Sequence, residues 1–550
     1  MSKLWYKSYP KEIPFNLDYE KISLFEMLKK IAKDYPNNLA VVLDYDNFCE
    51  ILKYQELYDL TLKLVNGLKL INLNFDDKVS FLLPNVPTFI AFYYAVLALG
   101  GVVVNVNPEL TPFEILKYIT NSDSKFVITF PHILPKLNEI IDDISLEKII
   151  IDDVYFKNNI NLNVSEYKKL SNKLVFVSDL LKEKNVLTEK DLKGLGDFDI
   201  FKKLSVLQYT GGTTGILKAA MLSHFNLVAN AQQIVNWVYE FEPKDNHKTL
   251  CVIPLFHAYG MTVGMNVSVR LANAMVLVPH FSIDLILRII NKYKIDFLPG
   301  VPSLYNAISL YAIKTKIDIS SVRVCISGAS ALNQEIYNRF VSLTNAKLVE
   351  GYGLSEASPV THINPVFGGI SKVGFIGLPI PDTDAKIVDI NEKDKELGVN
   401  EEGELIIKGP QVMLGYYKNE QETNNSIIDG YLYTGDIAIM DEDGYFKIVD
   451  RKKDMIIVSG FKVYPREVEE VILKVPGVLE AAVVGIEHPI KGQIVKAFVV
   501  KNNRDITESD IIKYCKDKLS HYKVPKEVEF VDDIPKNQAG KILKRLLINK

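Results

Sequence analysis

The chain has 550 residues, of which 48% are hydrophobic and 24% are charged, and its formal net charge is −4. This length predicts a large body with at least one smaller unit, and the composition excludes disordered, collagen-like and low-complexity proteins. The small net charge excludes the basic field over the whole surface that a nucleic-acid-binding protein normally uses.

The cysteines give no sign of a cross-linked or metal-bound framework. They stand far apart without a Cys-x-x-Cys pair, so neither a zinc site nor a disulfide framework is predicted. We expect those within apolar runs to be small buried side chains, and a reducing, cytoplasmic setting for the chain. The four are Cys49, Cys251, Cys325 and Cys515.

No segment is expected to cross a membrane. The first ten residues lack the apolar core of a secretory signal. The longest apolar stretch, 89–104, is interrupted by Gly100 and Gly101 and falls short of the roughly 20 residues that span a bilayer. We expect a buried helix followed by a buried strand there, and any membrane contact would be peripheral.

The first element in chain order is an amphipathic helix. Ser23 and Glu26 have the spacing of a capping box, and apolar residues at 24, 27, 28 and 31 have a helical period. Between 78 and 330, short apolar runs then alternate with helix-length segments, which predicts largely parallel sheets covered by helices. The runs are 79–83, 102–106, 126–128, 206–209, 250–253 and 322–326.

The last third of the chain has a different pattern. From 385 onward, strand-like segments come at shorter intervals with turn signals such as Asp443-Gly444, which predicts a β-rich, more antiparallel region. A charged stretch at 450–454 separates it from a compact unit of about a hundred residues. There we expect a helix from Pro465 that stops at Pro476-Gly477, and strands at 481–484 and 494–500. The predicted class is therefore α/β with a small α+β C-terminal domain.

A loop rich in glycine and threonine follows the predicted strand 206–209. Glycines allow backbone N–H groups to face a polyanion, threonine hydroxyls add donors and a lysine adds charge, so this composition predicts a phosphate-binding loop. The spacing is not that of a Walker A loop, because two residues separate Gly215 from Lys218. A flexible surface loop is the alternative. The candidate residues are Thr210, Gly211, Gly212, Thr213, Thr214, Gly215 and Lys218.

This loop resembles the signature loop of the adenylate-forming superfamily, which contains acyl-CoA synthetases, luciferases and peptide-synthetase adenylation domains. Further family motifs follow in the same order, and the N-terminal part with Trp5-Tyr6 is similar to bacterial and archaeal long-chain fatty acyl-CoA ligases, so the resemblance covers essentially the whole chain. The motifs are PLFHAYG at 254–260, GYGLSE at 351–356, YTGD at 433–436, DRKKD at 450–454, and Pro535-Lys536 through Gly540-Lys541.

The resemblance implies a site for ATP and Mg²⁺. Glu356, at the end of what we expect to be a tight Gly-Tyr-Gly turn, would bind Mg²⁺ as a hard oxygen ligand together with Thr213. Tyr352 would stack on adenine, Asp436 would accept both ribose hydroxyls, and Arg451 would face the ribose or phosphates. Without the resemblance, Tyr352 is a core residue and Glu356 a solvated acid. The remaining nucleotide-site residues implied are Gly328, Ala329, Ser330, Gly351, Gly353 and Ser355.

The resemblance also implies a mobile C-terminal domain. It divides the chain into a large domain, 1–450, a hinge, 451–453, with Lys453 as the hinge residue, and a lid, 454–550. Lys541 on the lid would enter the site for adenylation and neutralise the approaching carboxylate and phosphate. In the second conformation Ser459, Gly460 and Phe461 would face a pantetheine tunnel for coenzyme A.

His257 and Met261 are the candidates on the acyl side. An isolated histidine in an apolar segment is by default a satisfied core residue, but the family places this residue between the acyl tunnel and the carboxylate. Related long-chain ligases can carry a tryptophan gate where Met261 aligns, and Ala219 replaces the usual glycine after the loop lysine.

The resemblance implies activation of a medium- to long-chain fatty acid to acyl-AMP with ATP, followed by transfer of the acyl group to coenzyme A. An aryl-acid ligase or luciferase chemistry stays open, because one sequence does not show the pocket. The absence of an amino-group aspartate beside His257 argues against amino acids as substrates. The alternative from another class is a catalytically inactive nucleotide- or acyl-binding protein. The partners expected are small molecules; a homodimer stays open.

Overall fold

The computed structural model describes residues 3–45, 48–155, 167, 169–184, 187–210, 217–393, 395–458, 461–488, 492–502, 505–536 and 542–548. Short 3₁₀ helices lie at Leu4–Ser8, Pro131–Ile133, Ile141–Asp143, Pro243–Asp245 and Ser355–Ala357, and a π-helix at Gly260–Asn266. The α-helices are α1 Leu24–Asp34, α2 Tyr54–Leu70, α3 Pro87–Ala98, α4 Pro112–Ser122, α5 Leu134–Ile140, α6 Val177–Leu180, α7 Glu189–Gly194, α8 His224–Trp237, α9 Val267–Arg270, α10 Ile283–Tyr293, α11 Pro302–Thr315, α12 Gln334–Thr344, α13 Glu420–Ser426, α14 Pro465–Ile472, α15 Glu508–Lys518 and α16 Arg545–Ile548.

The strands of the described residues form four sheets when the two four-stranded sheets that are bridged at Phe297 are taken as one. They are β1 Leu39–Tyr45, β2 Phe48–Lys53, β3 Lys78–Leu82, β4 Val102–Asn105, β5 Ser124–Thr129, β6 Lys148–Ile151, β7 Leu174–Phe176, β8 Leu204–Thr210, β9 Lys218–Ser223, β10 Lys248–Cys251, β11 Ala274–Leu277, β12 Val324–Ser327, β13 Lys347–Gly353, β14 Val360–Ile363, β15 Leu378–Pro379, β16 Asp384–Val388, β17 Gly403–Lys408, β18 Ile427–Ile428, β19 Tyr431–Met440, β20 Phe446–Arg451, β21 Ile456–Val458, β22 Phe461–Val463, β23 Val478–His488, β24 Gly492–Lys501 and β25 Glu527–Phe530.

The first sheet has the order β7-β6-β5-β3-β4-β8-β9 and is parallel except for β9, which pairs antiparallel with β8. Neighbouring residues such as Val103 and Val104 point to opposite faces, and each face packs into a separate core. One core contains α3, which is buried along its whole length. The helix followed by a buried strand expected for 89–104 is confirmed, and none of the helices among the described residues has the length and apolar character that crossing a bilayer requires.

The second sheet joins distant parts of the chain. Its strands β10-β11-β1-β2 connect through bridges at Phe297 to β12, which continues into β13, β14 and β15. The pairings β10–β11, β11–β1 and β12–β13 are parallel. Helix α1, which packs against the helices α2, α3, α8 and α9, begins with the predicted capping box between Ser23 and Glu26. The carboxyl end of β12 lies beside Gly328, so this sheet carries one of the predicted site segments at its edge.

The third sheet, with the order β16-β17-β19-β18 and β20 beside β19, is antiparallel throughout, as the pattern after 385 predicts. The predicted Asp443-Gly444 turn joins β19 to β20, with Gly444 at φ +84°. A Cβ on Gly444 would lie 2.5 Å from the Trp5 Cα. The N-terminal segment therefore packs directly against this turn.

The fourth sheet lies after residue 455 and has the order β22-β21-β24-β23, with β25 parallel to β24. Helices α14 and α15 cover it, and a separate hydrophobic core fills the space between them. Two local predictions need correction. Helix α14 ends at Ile472, before Pro476, because 473–475 form a turn in which the Val475 N–H bonds to Ile472 O. Strands β23 and β24 are longer than predicted because they pair along nearly their whole length.

Candidate active site

The predicted phosphate-binding loop connects two adjacent strands. Thr210 at the end of β8 pairs with Lys218 at the start of β9, so the loop closes a hairpin at the carboxyl edge of the parallel strands, where ligands bind in open α/β sheets. The loop residues Gly211, Gly212, Thr213, Thr214 and Gly215 lie outside the described residues. The structure therefore fixes both ends of the loop.

Lys218 and Glu356, the predicted phosphate and metal ligands, lie on either side of Tyr416. The Lys218 ammonium forms an ion pair with Glu422 and lies 5.6 Å from the centre of the Tyr416 ring. The Tyr416 hydroxyl donates to Glu356 Oε1 over 2.8 Å. Tyr416 and Glu422 were missed in the sequence, because nothing in their local pattern indicates contact with residues 60 or 204 positions away.

The prediction that Gly351, Tyr352 and Gly353 form a tight turn before Glu356 is wrong. Gly351, Tyr352 and Gly353 belong to strand β13, which pairs with β14 through a register shift at Gly353. A Cβ on Gly353 would lie 2.1 Å from the Pro359 carbonyl oxygen, so glycine is required by the close approach of two strands. The turn comes one step later, as the 3₁₀ helix Ser355–Ala357 that carries Glu356.

Tyr352, Asp436 and Arg451 meet at one point. Asp436 on β19 faces Arg451 on β20 in register, and the Arg451 Nε lies 3.4 Å from Asp436 Oδ1. The Tyr352 hydroxyl donates a hydrogen bond to Asp436 Oδ2. Burial, followed by the negative charge of Asp436, raises the pKa of the Tyr352 hydroxyl. Three residues predicted for one nucleotide thus form a direct cluster.

An aromatic row runs from the N-terminal segment to this cluster. The Trp5 ring lies edge-on to Phe446 at 5.9 Å, Phe446 to His362 at 4.8 Å, and His362 to Tyr352 at 6.0 Å. His362 is fully buried, and desolvation lowers its pKa to about 3, so it stays neutral. The row therefore packs rings against the Tyr352 side chain through its contact with His362.

Gly328 and the segment containing His257 are also brought together. A Cβ on Gly328 would lie 3.3 Å from the Tyr259 ring, whose hydroxyl donates to Ile326 O. Ala329 follows in the left-handed region, at φ +67°, and Ser330 is exposed. Desolvation lowers the pKa of His257 to about 4, so its ring is neutral near pH 7.

Two amide side chains hold both ends of the His257 segment. Gln208 Nε2 donates to Phe256 O over 3.1 Å, and Asn105 Nδ2 donates to Gln208 Oε1 over 3.0 Å. Asn105 Nδ2 also lies 3.4 Å from the sulfur of Met261, which is fully buried in the π-helix. Sequence reasoning missed Asn105 and Gln208, although their position near the ends of parallel strands was a usable signal.

Of the residues predicted around the hinge and the coenzyme A side, Arg451 ends β20, Lys453 lies between β20 and β21, and Phe461 begins β22. Desolvation, followed by the charge of Arg451, lowers the pKa of the Lys453 ammonium. Phe461 is 56% exposed and stacks on Tyr522 with ring centres 4.7 Å apart. Ser459, Gly460 and Lys541 lie outside the described residues.

Comparison with known proteins gives two family matches. The AMP-binding enzyme family matches residues 28–417, and the AMP-binding enzyme C-terminal domain matches residues 467–541. The chain belongs to the AMP-binding enzyme family. The first match contains Lys218, Glu356 and Tyr352, whereas Asp436 and Arg451 lie between the two matches.

Relatives of this family cover the chain from end to end. A long-chain-fatty-acid–CoA ligase of Bacillus subtilis is 37% identical over 561 residues, covering 100% of this chain and 98% of the relative. A ligase of the same name from Escherichia coli is 34% identical with the same coverage. Among solved structures, ATP-bound MatB from Rhodopseudomonas palustris has a TM-score of 0.82 at 28% identity, with 96% of this chain and 99% of that chain covered.

Proposed function

We propose that this protein activates a medium- to long-chain fatty acid with ATP to acyl-AMP and then transfers the acyl group to coenzyme A, releasing AMP. The observation that carries the proposal is the full-length similarity to long-chain-fatty-acid–CoA ligases, at 37% and 34% identity for the two relatives above. It is supported by the cluster of Tyr352, Asp436 and Arg451 and by the position of Lys218 and Glu356 nearby.

The nucleotide would bind across the edges of three sheets. Asp436 is the acceptor for the ribose hydroxyls, Arg451 a charge on the ribose or phosphate side, and Tyr352 the surface on which adenine stacks. The other residues proposed to surround the adenine or the phosphates are Gly328, Ala329, Ser330, Gly351, Gly353, Ser355, and Thr210 through Gly215 with Lys218.

The residues present fit a nucleotide-bound Mg²⁺ better than a metal held by protein alone. Among the described residues, no group of three or more His, Cys, Asp or Glu side chains could hold a metal ion. Glu356 offers one carboxylate and Thr213 a hydroxyl, and Mg²⁺ commonly takes its other ligands from phosphates and water. When bound, the ion neutralises charge on the phosphate oxygens.

On the acyl side, His257 and Met261 would border the fatty-acid tunnel. Met261 is fully buried against Asn105, and a methionine can change rotamer at low cost. The fatty acid would enter as Met261 moves away from Asn105, while Gln208 keeps the His257 segment in place. A neutral His257 would leave the carboxylate uncompensated until the Lys541 ammonium arrives.

The chemistry takes two steps. A carboxylate oxygen attacks the α-phosphorus, the bond from this phosphorus to the β-bridging oxygen breaks, and pyrophosphate leaves; Lys541 and the phosphate loop stabilise the added charge. The coenzyme A thiolate then attacks the acyl carbonyl, and AMP leaves with the electron pair of the acyl–oxygen bond. The lid, 454–550, would turn about the hinge 451–453 at Lys453 between the steps and present Ser459, Gly460 and Phe461 to the pantetheine.

A panel of carboxylic acids tests this function. Pyrophosphate release and acyl-CoA formation are measured with saturated acids of increasing length, and with acetate, benzoate, a cinnamate and amino acids as controls. Because each buried methylene contributes about 0.8 kcal/mol, kcat/KM should rise steeply with length until the tunnel ends. A maximum at acetate or at the cinnamate would contradict the fatty-acid assignment, and the absence of any acid-dependent pyrophosphate release would contradict the enzymatic one.

A further inference from the structure

Lys218 already has a carboxylate partner within the chain. Glu422, in the first turn of α13, forms an ion pair with the Lys218 ammonium, and the two side chains are 30% and 24% exposed. The Glu422 backbone N–H bonds to Asn419 Oδ1, which fixes the start of the helix. The pair therefore joins the predicted phosphate lysine to a helix that no predicted function involves.

The segment that carries Glu422 is held firmly against β9. Backbone hydrogen bonds join Leu414 to Met221, Met221 to Gly415, and Tyr417 to Ala219. The Tyr416 N–H bonds to the Thr423 hydroxyl, and the Tyr416 hydroxyl reaches Glu356. This segment, 414–423, thus places Glu422 on Lys218 and a tyrosine on Glu356.

We propose that Glu422 is the counter-ion of Lys218 in the nucleotide-free enzyme and that it sets the affinity for ATP by competing with the phosphates for this lysine. The triphosphate cannot use the full charge of Lys218 while the ion pair is closed, and the released carboxylate then lies near a polyanion of the same sign. Both effects oppose binding. The inference rests on the proposed function only in taking ATP as the ligand, and it assigns Glu422 a positioning role, because Glu422 acts through Lys218.

The test is calorimetric binding of ATP to the full-length protein and its E422Q variant. E422Q keeps the side-chain volume but removes the charge, so ATP should bind about two- to fivefold more tightly, the size expected for a partly exposed ion pair. Adenosine, which has no phosphate, should bind equally to both proteins. The matched control is E420Q, which removes an exposed charge from the same helical turn and should leave ATP binding unchanged.

Steady-state kinetics provide the second measurement. For E422Q, KM for ATP in pyrophosphate release should fall by the same factor while KM for the fatty acid is unchanged. Should E422Q fail to fold, E422D keeps the charge on α13 but shortens its reach to Lys218, and it should also bind ATP more tightly. Equal or weaker ATP binding by the variant, or an equal gain for adenosine, overturns the inference.

The outcomes separate this inference from the proposed function. A wild-type protein that binds ATP but activates no acid would contradict the function, while the E422Q comparison would still decide the role of Glu422. If the protein is an active ligase but E422Q binds ATP with unchanged affinity, the inference is overturned and the proposed function stands. A wild-type protein that binds no ATP overturns both.

Discussion

At the scale of single residues, Asp436 has the least replaceable environment in the site. It is 6% exposed, accepts the Tyr352 hydroxyl and lies opposite Arg451. A carboxylate in this position can exchange these bonds for the two hydroxyls of a ribose without losing its charge compensation. An amide could accept fewer such bonds and would leave Arg451 without a counter-charge.

We therefore expect D436N to weaken ATP binding by about tenfold or more, because hydrogen bonds to a charged group contribute about 1.5–3 kcal/mol each. Equilibrium binding of ATP measures the effect. D429N is the control, since Asp429 is exposed, has φ +51°, and asparagine adopts this conformation equally well. Unchanged binding by D436N would remove Asp436 from the nucleotide site.

We expect His224 to contribute to the pH dependence of the free energy of unfolding. It is fully buried at the start of α8, its Nδ1 accepts the Leu24 N–H, and desolvation lowers its pKa to about 3. The folded-state pKa lies below the unfolded value of about 6.5, so the unfolded chain binds the extra proton between these values. The stability contributed by this site is therefore complete above about pH 6.5 and is lost as the pH falls towards 3.

The measurement is urea unfolding of wild-type protein and H224Q at pH 7 and pH 5. The wild type should lose about 2 kcal/mol more than H224Q between these values, whatever the difference in absolute stability. Burial raises the pKa of Asp152 to about 6, so its contribution to the free energy of unfolding grows as the pH falls, opposite to that of His224. Both proteins contain Asp152, and the comparison with H224Q therefore removes its contribution. Parallel losses in both proteins would show that His224 does not titrate on unfolding.

At the scale of elements, the sequence predicts those features whose cause is the local order of residues. The Ser23–Glu26 capping box, the buried runs that became β3, β4, β5 and β8, and the Asp443-Gly444 turn were all predictable because their causes are local. The strand character of Gly351 to Gly353 was not predictable. Its cause is pairing with β14 and a close approach to Pro359, which no local pattern reveals.

The site residues also divide into those that a local motif identifies and those that only a distant contact reveals. Motifs identified Tyr352, Asp436 and Arg451, and the structure brings these three together. Glu422 was missed because its contact with Lys218 joins residues 204 positions apart. For Asn105 the place near a strand end was a signal, but its contact with Met261, 156 positions away, was not predictable. Such pairs follow from strand order, which a single sequence leaves undetermined.

The β13–β14 crossing gives a prediction for an element. G353A would place a Cβ 2.1 Å from the Pro359 carbonyl oxygen, so one strand must shift, at a cost of about 1–3 kcal/mol. The shift would move Tyr352 and Glu356, and we expect lower thermal stability together with lost ATP binding. Thermal unfolding with and without ATP measures both. G194A is the control, because no atom lies within 4 Å of its added Cβ; equal behaviour of the two variants would argue against the crossing as a constraint.

At the scale of the whole molecule, polar contacts cross the junction between the two proposed domains. The Arg466 backbone N–H bonds to Asp450 Oδ2 over 2.8 Å, and its guanidinium donates to Ile448 O over 3.0 Å. Burial and the charge of Glu114 raise the pKa of the Tyr118 hydroxyl on α4, and the charge of Arg545 on α16 acts in the opposite direction. Helix α16 therefore lies within electrostatic range of α4.

The lid hypothesis makes a prediction for Lys541. Lys541 itself lies outside the described residues; of the residues that flank it, Lys536 pairs with Ile542 in a β-bridge and forms an ion pair with Glu480. K541A should abolish pyrophosphate release from ATP and fatty acid, yet keep much of the thioester step when acyl-adenylate is supplied, because the lysine serves only one conformation. K513A on the exposed face of α15 is the control. Equal loss in both half-reactions would contradict the two-conformation scheme.

The aromatic row that begins at Trp5 has a spectroscopic consequence. The chain has two tryptophans, Trp5 and Trp237, and both belong to the proposed large domain. Trp5 connects through Phe446 and His362 to Tyr352, so its emission should report on nucleotide binding without an attached dye. Melting of the C-terminal unit, which contains tyrosine but no tryptophan, would leave that emission unchanged while circular dichroism still falls. Comparing the two signals during one thermal scan would therefore separate the unfolding of each part of this chain.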